Sequence, residues 1–173
     1  MKILKNIKKI SEMDKSLSDK QKNINVSEVY HLWNHLMQRY NVIHVTNLLN
    51  SFVKDDDLKM VLNSGKKTLT KHIGLLEKEL LNYGIPLPLR PPKQTQQNAV
   101  NIELISDRHI YRRILRGIQA FLPVHNMAFI HSTSPKIRDL FMSFMIEEMK
   151  IYDLYLEYGK KKDYLVRPPG YGP

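Results

Sequence analysis

Residues 134–159 read SPKIRDLFMSFMIEEMKIYDLYLEYG, and this stretch decides the fold class. Ile137, Phe141, Phe144, Glu148, Ile151, Tyr155 and Tyr158 recur at alternating intervals of four and three. That spacing marks one face of a helix packed in a bundle. Ser134 is placed to cap the helix, with Pro135 at its first position and Gly159 as its stop. Glu148 is the one carboxylate on the face. An unpaired buried carboxylate costs on the order of several kcal/mol, so it needs a partner. His72, Arg112, Arg113 and Arg116 are the candidates.

Three more segments carry the same period. Ser27-Glu28 reads as a helix start, followed by an apolar stripe at Val29, Trp33, Leu36, Tyr40 and Ile43. Asp55-Asp56-Asp57 ends that helix and caps the next, which shows Leu58, Leu62, Leu69, Ile73, Leu76, Leu80 and Tyr83. Gly84 stops it, and Pro86, Pro88, Pro91 and Pro92 prevent continuation. Residues 84–101 form a long connection. The third segment carries Ile110, Ile114, Ile118, Phe121, Val124 and Ala128, with a kink or break expected at Pro123. No stretch alternates at period two for long enough to be a strand. The expectation is all-α: four helices of about 25 residues each.

The two halves resemble each other. Leu80-Leu-Asn-Tyr-Gly84 runs into Leu89-Arg-Pro-Pro92, and Tyr155-Leu-Glu-Tyr-Gly159 runs into Val166-Arg-Pro-Pro169. This reads as a duplicated helical hairpin, residues 27–92 and 102–169, about a pseudo-twofold axis. The long connection between them then crosses the bundle, which is the connectivity of ferritin-like folds. Residues 1–26 are set apart as a basic N-terminal segment, and 27–173 as a ferritin-like up-down four-helix bundle with an irregular Arg-Pro-Pro tail.

Such bundles hold two metals with Glu-x-x-His on one helix of each hairpin. Here Leu69 stands three residues before His72, and Lys150 and Ile151 follow Glu147 and Glu148 where histidine is needed. The literal Glu28-x-x-His31 lies at a helix end. Aligning the halves on their Tyr-Gly ends superposes His72 on Glu147, which reads as a relic, an ion pair or coincidence. No metal and no cofactor is expected; if a metal did bind, His72, Glu147 and Glu148 are its candidate ligands. No catalytic residues are assigned, because neither a nucleophile elbow nor a Gly-rich phosphate loop is present. His125 and His131, six apart, are read as satisfied interior or surface histidines.

Composition narrows the class further. The chain has 173 residues, 27 Lys+Arg against 17 Asp+Glu, and no Cys, which excludes disulfides, thiol nucleophiles and cysteine-ligated metals. Seven Lys against three acids in residues 1–26 supply +4 of the net +10. Ile3, Ile7 and Ile10 fall on one face there, a pattern suited to an anionic membrane surface or a partner protein. A frayed terminus is the plainer reading, so deleting residues 1–22 is expected to leave stability nearly unchanged. No apolar core of a signal peptide follows the basic start, so synthesis in the cytoplasm is expected.

Glu28-x-x-x-Leu32-Trp33, His72 seven residues past Gly65, Tyr83-Gly-Ile-Pro-Leu-Pro88 and the Arg167-Pro-Pro169 exit together carry a resemblance. The chain resembles an uncharacterised ferritin-like family of spore-forming Bacilli and Clostridia, similar to spore coat protein F. The resemblance covers roughly residues 27–170. It implies a ferritin-like bundle, a structural role in or near the spore coat during sporulation, and no established enzymatic activity. The expected function is a structural or interaction protein whose partners are other proteins or further copies of itself. The alternatives are a metal-binding oxidoreductase or storage protein with a degenerate site, and a basic nucleic-acid-binding protein, which rests on charge alone. No small-molecule substrate is identified. Tyr155 and Tyr158 are expected to be buried, Tyr152 partly exposed, and Tyr164 and Tyr171 accessible; the tail is expected either to pack back on the bundle with Arg167 bonding helix-end carbonyls, as Arg90 should within the chain, or to form a subunit or coat contact.

Overall fold

In the computed structural model, residues 16–92, 105–166 and 169–170 are described. They form five helices: α1 (Leu17–Asn23), α2 (Val26–Asn50), α3 (Asp56–Asn82), α4 (Asp107–Ile130) and α5 (Pro135–Lys161). There is no strand among the described residues, and the fold is all-α as the periodicity requires. Residues 1–15, Arg167 and Tyr171, on which some expectations fall, lie outside the described residues.

Local chemistry sets the helix starts. Asn25, not Ser27, caps α2: its side chain accepts from Glu28 N while Glu28 Oε2 accepts from Asn25 N, a reciprocal capping box. Asp55 and Ser106 cap α3 and α4 by accepting from Leu58 N and His109 N. Ser134 precedes α5 with Pro135 at the first turn, but makes no side-chain cap bond. No break occurs at Pro123, and α4 runs through it. The ring removes one backbone donor; Phe121 and His125, both buried, anchor the helix on either side.

Gly84 and Gly159 turn out to do different work. Gly84 ends α3 in the left-handed region at φ 66°, and Ile85 N bonds back to Leu80 O at 2.9 Å. Gly159 does not end α5; the helix continues to Lys161, and Asp163 (φ 54°) takes the left-handed position while Tyr164 N bonds Gly159 O at 2.9 Å. Glycine is needed at 159 for another reason. A Cβ there would lie 1.9 Å from Tyr111 Oη, which donates to Tyr155 O at 3.1 Å.

The four long helices enclose one interior. α2 packs on α3 and α4 on α5, and the hairpins meet through α3 against α5 and α2 against α4. Their directions follow from named contacts. Asp107, at the start of α4, accepts from Lys54 N and Asp55 N at 2.9 Å each, beside the start of α3. Lys162, past the end of α5, reaches Asp55 at 2.6 Å. α3 therefore ends at one end of the molecule while α4 begins at the other, separated by about 40 Å, the length of α3.

The core divides in two. Leu32, Leu36, Leu76, Phe141 and Phe144 belong to one buried cluster, and Leu58, Leu62, Ile110, Leu115 and Tyr155 to the other. Fully burying such a side chain contributes roughly 1.5–3 kcal/mol. Between the clusters lies a layer of buried polar side chains. That layer explains the misplaced stripe on α2. Its inner face is Glu28, His31, Leu32, His35, Leu36, Arg39 and Tyr40, whereas Trp33 is 37% exposed.

The chain beyond the helices also packs. Within the basic segment, α1 docks on the end of α3: Lys20 Nζ donates to Asn82 Oδ1 at 2.8 Å and Gln21 Nε2 to Tyr83 O at 3.0 Å. Tyr155 and Tyr158 are buried and Tyr152 is half-buried. Tyr164 is not free: its ring lies against Tyr111 and Tyr158, and its carbonyl accepts from Arg112 Nε at 3.1 Å. Arg90 bonds the Glu77 side chain and lies over the Tyr40 ring instead of bonding helix-end carbonyls.

Candidate functional site

The buried polar layer is the chemically distinctive part of the interior. Arg39 on α2, with a side chain only 1% exposed, is its centre. Its Nη2 donates to Glu148 Oε2 on α5 and to His125 Nε2 on α4, each at 2.7 Å. The guanidinium carbon stands 4.0 Å from the Phe121 ring centroid, so an aromatic face covers the cation. Glu148 thus finds Arg39 and His125, not His72 or the arginines of α4. Arg112 instead bonds Tyr164 O, and Arg113 and Arg116 are exposed.

These contacts fix the protonation states. Burial alone would raise the Glu148 carboxyl, but the charge and hydrogen bond of the Arg39 guanidinium oppose it and hold the group ionised. His125 Nε2 accepts from a guanidinium, which places its proton on Nδ1 and leaves the ring neutral. Burial keeps it below the ordinary imidazole range, with Glu148 3.7 Å away opposing. His35 donates from Nδ1 to His31 O at 2.8 Å and stacks on His125 with ring centroids 5.3 Å apart. Burial, then the neighbouring His125, lowers it to about 3.

His72 and Glu147, superposed by the internal repeat, touch each other. His72 Nε2 lies 3.2 Å from Glu147 Oε2, and Lys71 Nζ reaches the other Glu147 oxygen. Burial, then the Arg39 charge, lowers His72 to about 4, so its contact with Glu147 is a hydrogen bond from a neutral ring. Burial would raise Glu147, but Lys71 and His72 overcome that and hold it low. Glu28 turns away from His31, its Oε1 accepting from Ser134 N at 2.6 Å. His31 pairs instead with His131, Nε2 to Nδ1 at 3.0 Å.

The donor set does not fit a bridged metal pair. Such a centre draws about six ligands from all four helices. Among the described residues no three His, Asp or Glu are placed to hold an ion. The two donors nearest the middle, Glu148 Oε2 and His125 Nε2, already face the Arg39 guanidinium. A fixed cation of the protein's own stands where an ion would need their lone pairs.

The sequence profile of a family described as "Protein of unknown function (DUF3231)" matches residues 12–172. The chain belongs to the DUF3231 family. A Bacillus halodurans protein named "putative spore coat protein" has a similar crystal structure, with TM-score 0.78 and 20% identity over 87% of this chain and 96% of that one. A conserved hypothetical protein of Mycobacterium tuberculosis is similar at TM-score 0.64 and 11% identity, over 76% of this chain and 96% of that one. Identities this low show a shared helical fold. Among curated proteins, none matches.

In this DUF3231 member the residues that sequence reasoning missed are Arg39 and His35, and His125 was placed no further than interior or surface. The signal was present in the spacing. Glu28, His31, His35 and Arg39 follow one another at intervals of three and four, so a stripe read by period alone, without regard to polarity, includes all four.

Proposed function

We propose that this chain is a ferritin-like four-helix bundle, built from two similar hairpins, that serves as a structural or interaction protein of the spore coat. It has no resident metal and no catalytic activity of its own. The observation that carries the metal-free reading is the Arg39–Glu148–His125 layer, in which a guanidinium takes up the central carboxylate and imidazole. The end of α3 and the start of α4 at opposite ends of the molecule support the ferritin-like reading, since a long crossover between two hairpins marks those bundles. The coat assignment is supported by the likeness in fold to the Bacillus halodurans protein of that name. Its partners are other coat proteins or further copies of the chain.

The deciding experiment has two readouts. Protein purified without a histidine tag and dialysed against chelator should retain far less than one equivalent of iron, manganese or zinc. Antibody to the chain should detect it in the coat fraction of spores from its source and little of it in vegetative cells. One equivalent of retained metal overturns the first half of the reading, and absence from spores overturns the second.

A further inference from the structure

A cavity of about 200 Å³ lies beside the polar layer, lined by all four long helices. Its walls are mainly apolar, from Val42, Leu69, Ile118 and Ile151, and Arg39 and Glu148 form a polar inner edge. Two glycines open it. Gly65 on α3 and Gly117 on α4 line the cavity, and a Cβ built on either meets nothing within 4 Å. Neither glycine has positive φ, so neither is required by backbone geometry. Glycine weakens a helix interior relative to alanine, yet it stands here twice, facing the same space.

The electrostatics are one-sided. Lys66, next to Gly65, and Arg113, one turn before Gly117, also line the cavity. Among the described residues neither has an ion-pair partner, whereas Lys59, Lys71, Lys136 and Lys162 all do. On the inner side, Arg39 Nε has no hydrogen-bond partner among the described residues. Three cations and one carboxylate therefore border an apolar space. A dry cavity of about 150 Å³ suffices for benzene, so this one accommodates about eight to ten non-hydrogen atoms.

We propose that the cavity binds a small amphiphilic carboxylate, of the size of a medium-chain fatty acid. Its apolar body lies between the helices and its carboxylate meets Lys66 and Arg113. An acid of this length fills the space, whereas the excess of a membrane acyl chain would be left in water, which commits the site to the short free acid. This inference stands independently of the coat role.

The test is calorimetric titration of the full chain with octanoate, and with 1-octanol as the uncharged control. Octanoate should bind one to one with a Kd of roughly 0.1 mM, about tenfold tighter than octanol. The double variant Lys66→Gln/Arg113→Gln should bring octanoate down to the octanol affinity and leave octanol unchanged. Gly117→Leu fills the space and should abolish binding of both, with a melting temperature equal to or above that of the parent. Absence of saturable octanoate binding overturns the site. Equal binding of the two ligands by the parent overturns the carboxylate, and undiminished binding by folded Gly117→Leu overturns the location.

Discussion

Removing Arg39 should destabilise the protein far more than removing Arg39 and Glu148 together. In the native layer Glu148 is 4% exposed and its carboxylate takes its one short hydrogen bond from Arg39, at 2.7 Å. Arg39→Met keeps much of the side-chain volume but leaves that carboxylate with His125 at 3.7 Å and no cation. Stranding one member of a buried pair costs about 3–5 kcal/mol, a large part of the 5–15 kcal/mol typical of a whole domain. For a chain of this length that corresponds to a fall in Tm of roughly 6–20 °C. Arg39→Met/Glu148→Leu removes both charges and should recover at least about 3 kcal/mol, because an apolar replacement of a buried pair is often neutral or stabilising. The Arg39→Met deficit should also shrink in acid. Losing Arg39 removes an influence that lowers the folded Glu148 carboxyl and leaves burial pushing it up, so the variant's deficit is greatest where that group is ionised and smaller where it is protonated. Urea unfolding followed by far-UV circular dichroism, on the parent, both single variants and the double, gives the cycle. A double variant no more stable than Arg39→Met, or a single deficit below about 1 kcal/mol, would refute the paired layer.

Acid should destabilise the parent before its carboxylates titrate. His35 and His72 are lowered to about 3 and about 4, so their stabilisation is complete above the unfolded value of 6.5 and is lost as pH falls toward those folded values. Near pH 5 the loss is about 2 kcal/mol for each, and a urea midpoint that stays flat from neutral to pH ~5 would contradict it. Gly159→Ala puts a methyl group into the Tyr111 ring and should cost about 1–3 kcal/mol; thermal melting at or above the parent value would show that the contact yields freely. Truncation after Gly159 strips Tyr164 and Leu165 from the cluster of Leu58 and Tyr155 and breaks the Lys162–Asp55 pair; it should cost about 2–4 kcal/mol, read as a fall in melting temperature without change in oligomeric state by light scattering. Deleting residues 1–22 strips most of α1 from the end of α3 and should lower stability by about 1–2 kcal/mol; an unchanged melting temperature would restore the view of a detached terminus.

The helices of the second hairpin were legible because hydrophobic period and core position coincide there. On α5, Ile137, Phe141, Phe144, Tyr155 and Tyr158 were all read correctly as buried. On α2 they diverge. Arg39, His35 and His31 occupy inner positions that hydropathy assigns to solvent, and Trp33, the most apolar-looking choice, falls one position off the face. Glu148 was recognised as a buried carboxylate because it interrupts an otherwise apolar stripe. Its partner was not, because a pairing 109 residues apart depends on how the hairpins dock, which no local spacing records. The Tyr-Gly repeat pointed to two residues, His72 and Glu147, that meet in a hydrogen bond, but it misled at the helix ends. Identical residues at 84 and 159 answer to different constraints, a left-handed turn in one half and a close approach by Tyr111 in the other.

The polar layer also bears on why this sequence adopts one packing. Leucine-rich faces above and below it can slide along a neighbour with little loss, since dispersion and burial are non-directional. A slip of one turn displaces Arg39 by about 5.4 Å along its helix, well beyond hydrogen-bond reach of Glu148 and His125. The slip would bury a guanidinium against leucines, leave a carboxylate unpaired and remove the acceptor role of His125 in a single step. His72–Glu147 ties α3 to α5 in the same way, and Arg39 ties α2 to both α4 and α5. Three contacts among four helices are enough to fix every axial offset, because the fourth relation, α2 to α3, is set by the five residues between Asn50 and Asp56. The layer therefore specifies register where the two apolar clusters supply most of the stabilisation. On this argument Arg39→Met/Glu148→Leu, though as stable as the parent, should show broadened side-chain NMR signals from α2 while α4 and α5, locked by their own aromatic contacts, stay sharp.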